Sequence, residues 1–319
     1  MTARALRLLV WHVHGSWTTA FVQGSHTYYL PVTPDRGPDG LGRARTWDWP
    51  ATAVERTPEQ LRDEPIDAVV LQRMDELPLV ERWTGRRPGR DVPAVFVEHN
   101  APEPHPVRSR HPLADRDDIP LVHVTNFNEL FWDSGRAPTT VIEHGVLDPG
   151  EQYTGELPRA AVVSNEPGRR GRMVGADLLG GLSAVAPIDL FGMPDLPDTP
   201  GITQLGDVPQ ARMHAELARR RVYLHTARWT SLGLSLIEAM QLGMPVIGVA
   251  STEAGEAVPP GAGVISTRMQ RLQAAVRMFV DEPEAARLAG KAARAHALGR
   301  YSLARFLADW DRLLDEVTR

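Results

Sequence analysis

A chain of 319 residues is long enough for two domains of ordinary size, each burying its own core. Hydrophobic residues at 42% and charged residues at 24% exclude intrinsic disorder and the fibrous classes. A formal net charge of −5 argues against a nucleic-acid partner, and zero cysteines exclude disulfides, thiolate nucleophiles and cysteine-based metal sites, as suits a reducing, cytoplasmic setting.

The N-terminal run MTARALRLLVWHVHG passes from basic residues directly into a strand pattern, so no signal peptide is expected. No apolar run approaches the ~20 residues of a membrane-spanning helix, and no membrane span is expected either. Residues 5–13 read as a first strand that ends in a glycine turn at Gly15-Ser16, the opening of a doubly wound α/β domain. A short helix over 18–23 and a second strand over 27–32 follow, then an exposed Gly/Pro loop over 33–45.

Strand signals recur at 67–71, 94–98, 121–125 and 140–143 with helical patterns between several of them, which favours a parallel sheet. The long polar connection over 100–120, NAPEPHPVRSRHPLADRDDIP, reads as functional, since binding groups are mounted on loops held by a sheet. The pattern breaks over 148–159, which reads as a link between domains. A second α/β series has strands at 160–164, 188–191, 222–225, 246–249 and 263–265, with helices over 209–221, 268–280 and 282–298. A last helix over 302–317 carries Phe306, Leu307, Trp310, Leu313, Leu314 and Val317 on one stripe.

The chemistry concentrates in YLHTARWTSLGLSLIEAMQLGMPVIGV, residues 223–249. Ser235 and Glu238 have capping-box spacing, so a helix is expected from about Ser235 to the stop at Gly243 and Pro245. Gly233 then lets backbone N–H groups approach an anion at the helix start. Glu238 reads either as the third residue of the cap or as a carboxylate accepting ribose hydroxyls.

The run SLGLSLIEAMQLGMPVI resembles the donor-binding signature of family 4 of the retaining glycosyltransferases (glycosyl transferases group 1), in which two glutamates eight positions apart flank a G-F-G-L-like turn. Glu238 matches the second glutamate, whereas the first falls on Thr230. The segment SNEPGRRGRMVGADLL, residues 164–179, resembles the family's G-R-x-x-x-x-K-G-x-D-x-L run, with Gly168, Arg169, Gly175 and Asp177 aligned and the lysine replaced by Val174. Arg172, two residues earlier, is the substitute the resemblance suggests.

The resemblance implies the GT-B fold: two facing doubly wound Rossmann-like domains, an interdomain cleft, and a C-terminal helix that crosses back. Residues 1–150 with the helix over 302–319 would form the acceptor domain, and residues 151–301 the nucleotide-sugar domain. Arg169 and Arg172 would clamp the donor diphosphate, with a solvated basic loop as the alternative. Gly15, Ser16, Thr230, Ser231, Gly233, Leu234 and Glu238 would bind the donor, and His99 would face its sugar. No cofactor and no metal are called for; His12, His14 and His99 form a weak metal alternative, the first two pointing the same way along a strand. Trp17 and Trp229 are either ring-stacking or core residues.

The function implied is transfer of a hexose, with retention of configuration, from a nucleotide-diphosphate sugar to an acceptor hydroxyl on a small molecule, glycolipid or glycan. A sugar-nucleotide epimerase of the same fold, or a non-catalytic nucleotide-sugar-binding protein, is the alternative.

Overall fold

A computed structural model describes residues 4–193 and 195–319. The chain divides into two units, one running to Val146 and including Leu303–Arg319, the other Leu147–Ser302. Each holds one fully parallel sheet.

The first sheet is built from β1 (Arg7–Val10), β2 (Thr27–Pro31), β3 (Ala53–Arg56), β4 (Ala68–Leu71), β5 (Ala94–Glu98), β6 (Leu121–His123) and β7 (Thr139–Val141), in the order β3-β2-β1-β4-β5-β6-β7. The second has β8 (Leu157–Val163), β9 (Ile188–Phe191), β10 (Ile202–Gly206), β11 (Arg220–His225), β12 (Val246–Val249) and β13 (Gly263–Ser266), in the order β10-β9-β8-β11-β12-β13. In both, the chain winds outward from one strand and then restarts on its other side. The reversal falls between β1 and β4 and between β8 and β11, and ligands of open α/β sheets bind outside the strand ends at such a point.

Central strands are apolar and buried on both faces, as AVVL of β4 shows, because helices cover both sides of a parallel sheet. The two strands absent from the sequence expectations, β3 and β10, are edges: ITQLG of β10 alternates half-buried and exposed residues. An edge strand has one covered flank and keeps polar residues. The helix expected over 209–221 ends at Leu217, and Arg220 and Arg221 open β11 instead. Their charges are met inside the unit. Arg220 Nε bonds Asp189 Oδ2 at 2.8 Å, and Arg221 Nη1 bonds the Val280 carbonyl at 2.7 Å. Residues 148–157 pack on this unit, Thr154 N donating to the Ala218 carbonyl at 2.9 Å.

In the first unit the helix Leu303–Val317 buries Phe306, Trp310 and Leu314. Trp310 meets Phe21 at 4.9 Å and Trp17 at 5.7 Å between ring centroids. Trp17 is thus a core residue, 1% exposed, and not a ligand-stacking one. Among the described residues no helix is long and apolar enough to cross a membrane.

The helix Pro283–Arg300 crosses the turn after residues 234–242 so closely that a Cβ on Gly290 would collide with the Gly243 carbonyl, while Gly299 in the same helix faces open space. Gly290→Ala is expected to cost about 1–3 kcal/mol through overpacking, and Gly299→Ala to add about 0.5–1 kcal/mol through helix propensity. Urea midpoints of the two variants check the opposite signs.

Candidate functional site

The reversal point of the second sheet carries both signature segments. β8 runs out at Ser164 into a single helical turn, Pro167–Arg170, whose N–H groups at Gly168 and Arg169 donate to the Asp195 carboxylate at 2.5 and 2.9 Å. Arg169 leaves this turn into solvent, its side chain 66% exposed and paired with Glu166 at 2.5 Å. Arg172 is 78% exposed and meets Asp177 Oδ2 at 2.9 Å. The same carboxylate takes both terminal nitrogens of Arg228, at 2.5 and 2.9 Å. Arg228 belongs to the loop after β11, and no motif in the sequence singles it out.

The two loops are tied together. Thr226 Oγ1 donates to the Val174 carbonyl at 2.8 Å, and Arg228 N donates to the Met173 carbonyl at 2.8 Å. Gly175 has φ +74°, and a Cβ there would collide with the Thr226 carbonyl, so the position tolerates only glycine. Val174, at the position where the resembled family has its lysine, is buried at 8% exposure.

The helix Leu234–Leu242 begins at Gly233 with no side-chain cap. The expected capping box is not formed, because Ser235 already lies inside the helix and its hydroxyl is 2.9 Å from Tyr223 Oη. Glu238 turns instead toward the helix Gln210–Leu217. Gln210 Nε2 donates to its Oε1 at 3.0 Å, and His214 Nε2 lies 3.2 Å from its Oε2. The carboxylate is 2% exposed. Gln210 and His214 were missed, although their i, i+4 spacing puts both on one helix face. Just before the helix, Ser231 is buried and the Thr230 hydroxyl is buried with no hydrogen-bond partner among the described residues. Trp229 is half-buried, its backbone N–H donating to the Met173 carbonyl at 3.2 Å.

In the first unit, Gly15 and Ser16 open the helix Gly15–Phe21, three residues earlier than expected, because His14 already serves as its N-cap. The proposed pairing of His12 with His14 does not occur. β1 ends at Val10, and His12 packs on Trp49 at 4.8 Å while His14 lies against His99 at 4.1 Å. His144 stacks 6.5 Å from His99. Among the described residues no three His, Asp or Glu side chains are grouped to hold a metal. The base of the loop over 100–120 is pinned by Glu98, which accepts from Asn100 N at 2.7 Å and faces His111 Nε2 at 3.1 Å, while residues 103–108 are exposed.

Burial pushes His14, His123 and His225 down to about 4 and His144 to about 3, since a charged imidazole loses its hydration there. Unfolding restores an ordinary histidine, so the unfolded chain takes up these protons first, and stability falls as pH drops from about 6.5 toward 4. Glu76 acts in the opposite sense, because burial raises it to about 7 and the folded chain binds its proton first. With four histidines against one glutamate, the urea midpoint is expected to fall steadily between pH 6.5 and 4, and a flat profile would contradict it.

Residues 200–296 match the family described as Glycosyl transferases group 1. Among solved structures the chain is similar to sucrose-phosphate synthase from Thermosynechococcus elongatus, with TM-score 0.71 and 14% identity over 98% of this chain and 99% of that one. It is also similar to HepE of Anabaena, crystallised with UDP and glucose, with TM-score 0.71 and 14% identity over 97% and 99%. A glycosyltransferase from Rickettsia africae aligns with TM-score 0.68 and 12% identity over 99% of both chains. No curated protein matches by sequence. The fold is GT-B.

Proposed function

We propose that this chain, a GT-B protein whose residues 200–296 match the glycosyl transferases group 1, transfers a hexose from a nucleotide-diphosphate sugar to an acceptor hydroxyl with retention of configuration. The observation that carries the reading is the pair of tied loops at the reversal point of the second sheet. They bring Arg169, Arg172 and Arg228 to the same strand ends as the uncapped start of the helix Leu234–Leu242.

Magnitudes decide how the arginines act. The pairs of Arg169 with Glu166 and of Arg172 with Asp177 are exposed, and such pairs are worth about 0–1 kcal/mol. A charge-assisted bond to a diphosphate oxygen is worth about 1.5–3 kcal/mol, so an incoming diphosphate outcompetes the carboxylates. The clamp then stabilises the charge that grows on the departing diphosphate. First-turn N–H groups at Gly233 and Leu234 add donors, and the Thr230 and Ser231 hydroxyls lie beside them. Glu238, buried and held by Gln210 and His214, is assigned to the ribose hydroxyls. His99, whose ring lies against that of His14, is assigned to the sugar side together with Gly15 and Ser16, which follow His14 in sequence, and the exposed loop tip over 103–108 to the acceptor.

A second reading, a nucleotide-binding protein without catalysis, is favoured by one observation: the family's lysine position holds a buried valine, so the clamp has no cation there.

Thermal stabilisation by UDP, by a panel of sugar nucleotides and by inorganic pyrophosphate tests the site. UDP is expected to stabilise the protein, and Arg169→Ala and Arg172→Ala are each expected to weaken it by about 10- to 100-fold. Glu238→Gln is expected to weaken UDP but not pyrophosphate. If no nucleotide or sugar nucleotide stabilises the protein, both readings fall; stabilisation with no transfer to any acceptor leaves the second.

A further inference from the structure

Gln72 follows β4 at the reversal point of the first sheet and is 6% exposed. Its backbone N–H is held by Glu76 Oε2 at 2.6 Å. Its side-chain Nε2 donates to the Trp11 carbonyl at 2.7 Å, and its Oε1 lies 3.1 Å from His99 Nε2. A backbone carbonyl only accepts, so the amide nitrogen faces Trp11 and the amide oxygen faces His99. That oxygen also only accepts, so the proton of His99 sits on Nε2. Burial and the neighbouring His14 and His144 hold His99 well below the ordinary histidine range, so the ring is neutral and its Nδ1 carries a bare lone pair. Nδ1 has no hydrogen-bond partner among the described residues, and the ring is only half-buried.

The ring plane is fixed as well. His14 lies against one side at 4.1 Å, and Trp17 meets the ring at 86° and 5.2 Å. A neutral imidazole locked in position with one open acceptor nitrogen offers a bound sugar one kind of contact: it takes a hydroxyl proton and refuses a carbonyl or carboxylate oxygen.

We infer that Gln72 is a positioning residue, which uses the Trp11 carbonyl to lock His99 as the Nε2–H tautomer and so turns Nδ1 into a hydrogen-bond acceptor for a hydroxyl of the donor sugar. The sugar half of this rests on the function proposed above, whereas the tautomer half stands apart from it.

Two-bond proton–nitrogen correlation spectra of full-length, histidine-labelled protein test the lock, with His99 assigned by its loss in His99→Gln. The wild type is expected to show the proton on Nε2 and an unprotonated Nδ1. Gln72→Met, of similar length without an acceptor, shifts protons to Nδ1. A wild-type proton on Nδ1, or a Gln72→Met spectrum identical to wild type, overturns the lock, and the wild-type spectrum decides alone if a variant fails to fold. Addition of UDP-glucose and other sugar nucleotides tests the sugar half: those that stabilise the protein beyond UDP shift the Nδ1 resonance. One that stabilises beyond UDP without moving it overturns that half. If none stabilises the protein, the donor reading falls, and the sugar half with it, while the tautomer result stands.

Discussion

Thr226 fixes the geometry of the candidate site from both ends of one residue. Its hydroxyl donates to the Val174 carbonyl, and its own carbonyl occupies the space that a side chain on Gly175 would need. The loop after β8 is thereby held against the loop after β11, with a left-handed glycine as the only residue that fits the join. Burial of Val174 follows from that join, since its backbone is part of the tie. A cation at that position would have to leave it, and under the proposed function the charge facing the diphosphate falls to Arg172 and Arg228, which share Asp177.

The polar groups divide by how firmly they are held. Arg228 grips both oxygens of Asp177 and is more buried than Arg169 and Arg172, which are exposed and each paired with one carboxylate, a kind of pair worth about 0–1 kcal/mol. Glu238 is the reverse: buried, and engaged by two side chains of a neighbouring helix. Truncating either donor would leave the carboxylate short of a partner in a place where unmade hydrogen bonds cost about 1–3 kcal/mol. In the first unit the same care appears around Gln72 and His99, where one amide connects a carbonyl to an imidazole.

What the sequence made legible follows the same physics. Central strands announce themselves as unbroken apolar runs, because both faces are covered. β3 and β10 lie at the sheet edges and keep polar residues, so they read as loop. The arginines at 219–221 read as the end of a helix, since nothing local reveals that Asp189, on another strand, receives Arg220. The motif segments around Arg169 and Glu238 were legible through their resemblance to a family's runs. Their tie through Thr226, the partners Gln210 and His214, and the entry of Arg228 are contacts between distant residues, which no local pattern encodes. The capping box failed for a local reason, an N-cap two residues earlier at Gly233, and Glu238 meets the helix Gln210–Leu217 instead of its own helix start.

The central claim is that a nucleoside diphosphate binds between the two tied loops of the second unit. Backbone hydrogen exchange with and without saturating UDP tests it most directly. The account predicts slowed exchange over 164–176 and 226–238 together; slowing elsewhere with both segments unchanged, or no slowing at all, would contradict it.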